Sequence, residues 1–169
     1  MYKVARDEAD LSQEIAAEFL NIGTRSLSNY ENYKSTTPPD TVLAMSDVYR
    51  KPEVRARYCA EVCPIGQVYA HPVETKDLEA AALGLVKEFN DVKLIRDRLI
   101  CIASDGVIGQ DEQPEFGMIL GELADLEQKI ETLKLWAASK LGHDCMKERR
   151  RKEKAPVSLA AENRASYNA

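Results

Sequence analysis

The sequence predicts an all-α protein in two parts. A compact set of short helices comes first, and a long antiparallel two-helix hairpin follows. Three observations carry this expectation. Between Leu11 and Lys34, apolar residues recur at i, i+3, i+4 on both sides of the turn Asn21-Ile22-Gly23. Pro39 and Pro52 each open a short apolar-periodic run, at a position where the missing N–H costs nothing. Further on, two stretches of about 27 residues carry heptad-like apolar stripes and are separated by a loop containing Gly106 and Gly109.

The stretch from Leu11 to Lys34 is the most specific. Ser12 is a good N-cap for the first of its helices. Ala16 and Ala17 are small enough for a steep crossing, and Ile15, Phe19 and Leu20 are expected to extend the buried face. Leu27 and Tyr30 on the next helix would pack against it. Asn21 falls where the chain turns sharply and suits a positive φ. Ile22 would tuck the turn into the core, and Gly23 and Thr24 open the second helix, with Thr24 as its cap. The side chains left over on that helix are polar: Thr24, Arg25, Ser28, Asn29 and Asn32. Arg and Asn can each make paired hydrogen bonds to a base edge, and Thr offers a hydroxyl and a methyl. Gln13, at a helix start, can bond a phosphate. The plainer alternative is a helical corner that touches no nucleic acid.

The Leu11-Ser12-Gln13-Glu14 opening, the Ala16-Ala17 pair and the run Leu27-Ser28-Asn29-Tyr30-Glu31-Asn32 resemble the lambda-repressor-like, or Xre-type, helix-turn-helix domains of bacterial and phage regulators. The resemblance covers about the first 65 residues and implies five helices: Tyr2 to Asp10, Ser12 to Leu20, Thr24 to Tyr30, Pro39 to Tyr49, and Pro52 to about Ala60. It implies base reading by Thr24, Arg25 and Asn29, with Ser28 beside them, and phosphate contacts from Gln13, Asn32 and Lys34. Val42, Leu43, Met45, Val48 and Tyr49 would give the fourth helix its apolar side. Two positions depart from the family: Asn21 replaces a turn glycine, and Tyr33 stands where a loop glycine is frequent.

The charge balance runs against nucleic acid. The 169-residue chain has a net charge of −5. Residues 1 to 65 carry Lys3, Arg6, Arg25, Lys34, Arg50, Lys51, Arg55 and Arg57 against ten carboxylates. Phosphate neutralisation supplies most non-specific affinity. An isolated first domain is therefore expected to bind DNA weakly and to lose it steeply with salt.

Pro64, Gly66 and Pro72 break the chain after this domain, so the expected division is residues 1–66, a connector over 67–74, and a hairpin over 75–143. The first long helix is expected from about Lys76 to Ser104, capped by Thr75, with Leu78, Ala81, Ala82, Leu85, Val86, Phe89, Val92, Ile95, Leu99 and Ile102 as its stripe. Asp105-Gly106 stops it. The acidic loop to Pro114 lacks the ligand spacing of a calcium loop. The second helix is expected from Glu115 to Leu141, with Ile119, Leu120, Leu123, Leu126, Ile130, Leu133, Trp136, Ala137 and Leu141 inward. Such a hairpin, about 40 Å long, cannot bury both stripes alone. A homodimer through residues 75–143 would cover them and give DNA half-sites a two-fold axis. An intramolecular brace is the alternative. Residues 144–169 form a tail that is basic over 147–154, then polar, and is expected to be disordered, with a cationic arm on phosphate as its functional reading.

No run of about 18 apolar residues and no apolar leader is present, so no membrane contact and a cytoplasmic location are expected. Cys59, Cys63, Cys101 and Cys145 are expected to be reduced there. Cys59 and Cys63 share a helix face. A metal or thiol sensor completed by His71 or by His143 and Cys145 is conceivable, but the spacing is not that of a zinc knuckle. The plain alternative puts Cys59 in the core. No cofactor is expected, and no catalytic set is visible, so no enzymatic activity is expected. The leading expectation is a sequence-specific DNA-binding transcription regulator, a bacterial or phage-type repressor acting as a dimer on double-stranded DNA. The alternative is a protein-interaction adaptor whose acidic hairpin binds a partner protein.

Overall fold

A computed structural model describes residues 1–142. The His143–Cys145 pair and the basic tail lie outside them. The described chain is helical throughout, without strands. Five short helices come first: α1 (Tyr2–Asp7), α2 (Gln13–Phe19), α3 (Thr24–Glu31), α4 (Pro39–Val48) and α5 (Pro52–Glu61). One turn, α6 (Gly66–Tyr69), leads into the connector. The long helices α7 (Leu78–Ile102) and α8 (Gln113–Leu141) then form the hairpin.

The first five helices close on one apolar core. Ala16 and Ala17 of α2 are fully covered where α3 crosses, and Leu27 of α3 fills the space against them. Tyr2, Val42, Met45, Tyr49, Val54 and Tyr58 complete the core from α1, α4 and α5. Pro39 and Pro52 take the first helical positions of α4 and α5, as the sequence predicts.

Four of these five helices end in the same way. The chain turns through a left-handed residue that is not glycine: Asp10 (φ 54°), Asn21 (φ 53°), Tyr33 (φ 55°) and Arg50 (φ 54°). In each, the following N–H reaches back to a carbonyl five residues earlier: Leu11 to Arg6 at 3.3 Å, Ile22 to Ala17 at 3.0 Å, Lys34 to Asn29 at 2.9 Å and Lys51 to Ser46 at 2.9 Å. These are Schellman turns, which satisfy carbonyls that a helix end leaves bare. Positive φ at Asn21 was expected from the turn chemistry; its recurrence at Asp10, Tyr33 and Arg50 was not.

Several local expectations need correction. α1 stops at Asp7 rather than Asp10, because the Schellman turn takes over its last carbonyls. Gly23, not Thr24, is the N-cap of α3, and it provides no side-chain bond. Ile15 (46% exposed) and Phe19 (63% exposed) do not join the core. The two alanines already bring α3 so close that α2 buries only a narrow stripe. Leu43 is likewise exposed. Asp77, not Thr75, caps α7, accepting from the Ala80 N–H at 2.8 Å. That shortens the helix to Leu78–Ile102, while α8 starts earlier than expected, at Gln113 with Pro114 in its first turn.

α7 and α8 pack along their length, with Ala81 and Ile102 of α7 and Ile119 of α8 fully covered. Near the loop end, Arg98 donates two bonds to Glu115, each 2.6 Å. α8 also packs on α5, so the base of the hairpin rests on the N-terminal unit. Lys129 (to Glu74, 3.3 Å), Gln128 (to the Pro72 carbonyl, 3.4 Å) and Glu127 (to His71, 3.4 Å) hold the connector against α8. Much of both stripes stays open: Leu78, Val86 and Phe89 of α7 and Leu120 and Leu141 of α8 are exposed, as are Leu83, Leu94 and Ile100 outside the expected stripe. No helix among the described residues is long and apolar enough to cross a membrane.

Candidate nucleic-acid interface

The outer face of α3 is built by what its inner face buries. Leu27 and Glu31, four residues apart, point inward and fix the helix's rotation. Thr24 and Arg25 are then exposed at its start, and Ser28 and Asn29 lie half-buried one turn on. These four expected base-reading residues therefore share one helix end. Arg25 and Lys34 form no ion pair within 4 Å among the described residues, so both charges remain available. The one carboxylate in α3 is Glu31, and it is turned away from this face. The domain is acidic in sum, yet α3 shows no exposed carboxylate.

The ion pair behind α3 is the feature sequence reasoning missed. Arg6 of α1 donates from Nε to Glu31 at 2.6 Å and from Nη2 at 3.2 Å, both groups buried. Its Nη1 donates to the Leu11 carbonyl at 2.7 Å. The Glu31 carboxylate raises the Arg6 pKa, against the opposing effect of burial. One signal was legible: Glu31 follows Leu27 by four residues and so had to share its inward face.

Of the expected phosphate contacts, Gln13 is held in place by this pair. Its Nε2 donates to Glu31 Oε2 at 2.8 Å, which fixes the side chain at the start of α2 and leaves one amide N–H for an outside acceptor. Asn32 donates from Nδ2 to the Ser28 carbonyl at 2.7 Å, closing the end of α3. Lys34 is exposed just after the turn at Tyr33. The Tyr33 ring meets Tyr2, centroids 6.0 Å apart, which ties this loop to α1.

Elsewhere, Cys59 is exposed rather than packed in the core, because α5 turns that side toward the hairpin base. Its thiol pKa is raised, chiefly by desolvation. Cys63 accepts from the Gly66 N–H at 3.5 Å, and His71 faces Glu127 rather than the thiols. Gly66 lies so close to the Cys59 carbonyl that any Cβ there would collide with its oxygen.

A three-dimensional arrangement of this kind, with a narrow-waisted helix pair and a polar second helix, defines a helix-turn-helix unit. Residues 3–54 match the family model described as helix-turn-helix, and this part of the chain is a helix-turn-helix domain of the lambda-repressor-like type. Over 47 residues the chain is 47% identical to the HTH-type transcriptional regulator ImmR of Bacillus subtilis (strain 168). That match takes in 28% of this chain and 37% of the relative. No solved structure matches.

Proposed function

We propose that this protein is a sequence-specific DNA-binding transcription regulator that places α3 in the major groove. The observation that carries the reading is the α3 face: Thr24, Arg25, Ser28 and Asn29 together, with the helix's one carboxylate buried on Arg6. Arg25 and Asn29 suit paired bonds to guanine and adenine, and Gln13, Asn32 and Lys34 flank them as phosphate contacts. Similarity to a transcriptional regulator over 47 residues supports the reading.

We further propose that the protein acts as a dimer through the hairpin, as a repressor of bacterial or phage type. The support is physical. Val86 and Phe89 on α7 and Leu120 on α8 leave apolar area open on a single chain. A two-fold axis would also offset the low positive charge of one reading unit, since two half-sites bind together. A partner protein covering the acidic hairpin is the competing reading.

Selection from a random DNA library, run beside a mass measurement in solution, tests both. The expected site is two-fold symmetric and the species a dimer. Replacing Arg25 and Asn29 by Ala should cost about 1–3 kcal/mol of discrimination at each contacted base while the fold holds. Unchanged preference for the selected site would refute the assigned reading face. A monomer with no DNA binding at low salt, but a partner held by the hairpin, would favour the adaptor.

A further inference from the structure

The base of the hairpin does not seal against α5. A cavity of about 360 Å³ remains there, within the size range of small-molecule sites. Its apolar walls come from three places: Ala56 and Cys59 of α5, Pro72 and Val73 of the connector, and Leu135 and Ala138 of α8. Most charges around it are already matched. Glu74 meets Lys76 at 2.7 Å and Lys129 at 3.3 Å, Arg55 faces Asp47 at 4.0 Å, and Glu127 lies 3.4 Å from the His71 ring, a charge match only with a protonated imidazole. Glu131 and Lys134 are left. They lie three residues apart on α8, both line the cavity, and neither has an ion-pair partner within 4 Å among the described residues.

We propose that this cavity binds a small zwitterion with an apolar side chain, the chemistry of a free amino acid, and that its occupancy sets how α8 sits on α5. An ammonium would face Glu131, a carboxylate would face Lys134, and the apolar body would fill the walls. A ligand of single charge leaves one of the two residues unmatched. Both charges are exposed, so they orient the ligand, while apolar burial holds it. The Cys59 thiol stays neutral, its pKa raised by burial, and serves as wall rather than nucleophile. Because α5 belongs to the reading unit and α8 to the hairpin, a filled cavity changes the placement of one on the other. That consequence rests on the DNA-reading role proposed above; the binding itself does not.

The test uses the full chain, labelled with nitrogen-15 and titrated separately with phenylalanine, phenethylamine and 3-phenylpropionate. Phenylalanine should shift the amides of Ala56, Val73 and Ala138, and should bind at least about five-fold tighter than either singly charged analogue. Glu131→Gln should remove its advantage over 3-phenylpropionate, and Lys134→Met its advantage over phenethylamine. Both variants should keep the ligand-free DNA affinity, since neither residue lies on the α3 face. Saturating phenylalanine should change the affinity for the selected DNA site at least about three-fold. No shifts at these amides, or equal binding of all three compounds, would overturn the site. Binding without any change in DNA affinity would overturn the coupling. A ligand-free protein with no preferred DNA site would instead overturn the DNA-reading role and leave the titration result standing.

Discussion

At the scale of single residues, two buried groups set testable limits. Arg6 and Glu31 are both covered, and Glu31 is the buried one of Arg6's two carboxylate partners, the half-exposed Asp7 being the other at 2.8 Å. Glu31→Leu should destabilise the protein by about 3 kcal/mol, because it leaves the buried Arg6 charge with only the half-exposed Asp7 carboxylate. Adding Arg6→Met should recover most of that loss in urea unfolding; a double variant as unstable as the single one would contradict this account. Tyr49 is different. It is 2% exposed, and its hydroxyl has no hydrogen-bond partner among the described residues. Burial, with the nearby Glu31 charge, pushes its pKa up to about 12. The folded pKa thus lies above the ordinary tyrosine value of 10.0. The neutral ring's contribution is complete below that value and is lost as pH rises through the folded pKa. Stability should therefore fall between about pH 10 and 12. Tyr49→Phe should lessen that fall and add up to about 1 kcal/mol at neutral pH, since it removes an unmatched buried hydroxyl. A steeper alkaline fall in the variant would show the cause to be wrong.

At the scale of elements, the sequence spoke most clearly where a residue has few alternatives. Pro39 and Pro52 marked helix starts, Ser12 marked a cap, and the Ala16-Ala17 pair marked a crossing. It was quieter about which apolar residues a helix buries. Ile15 and Phe19 fit the same period as Leu20, and only the closeness of α3 decides that they stay outside. The polar face of α3 was legible from its place opposite Leu27, and the family resemblance then marked four residues on it as base-reading candidates, whereas the Arg6 partner, 25 residues from Glu31, left no local trace. Helix ends were the least legible, because Asp10, Tyr33 and Arg50 adopt a conformation normally signalled by glycine. Arg50 permits a direct test. Arg50→Gly removes the Cβ clash at φ 54° and should stabilise the fold by roughly 0.5–1 kcal/mol in thermal or urea unfolding. A loss of stability would mean that the Arg50 side chain contributes more than its backbone costs.

At the scale of the whole molecule, the hairpin has two separate relations. Its base rests on α5, while Val86, Phe89 and Leu120 along the arm stay about half exposed. A double replacement, Val86→Glu with Phe89→Glu, should convert the proposed dimer to a monomer by sedimentation and weaken binding to a two-fold site at least about ten-fold. Helical content and the α3 face should be unaffected. If the variant stays dimeric, the two-fold contact lies elsewhere. The salt dependence should follow the same division. With Arg25 and Lys34 as its available charges the proposed reading unit releases few counterions, so, against the steep loss expected from the sequence, the slope of affinity against salt should be shallow per chain and should double with pairing.

The docking of the hairpin at its base alone makes its length a free variable. Residues 127–138 of α8 hold the junction, whereas the Arg98–Glu115 clasp and the turn at Gly106 lie far out along the arm. Removing seven matched residues from each of α7 and α8 between these points would shorten the arm by about 10 Å and leave both ends chemically unchanged. The chain is built as a fixed head on an adjustable ruler, and in the proposed dimer the spacing of half-sites could be re-graduated in steps of one heptad without altering a residue of the α3 face.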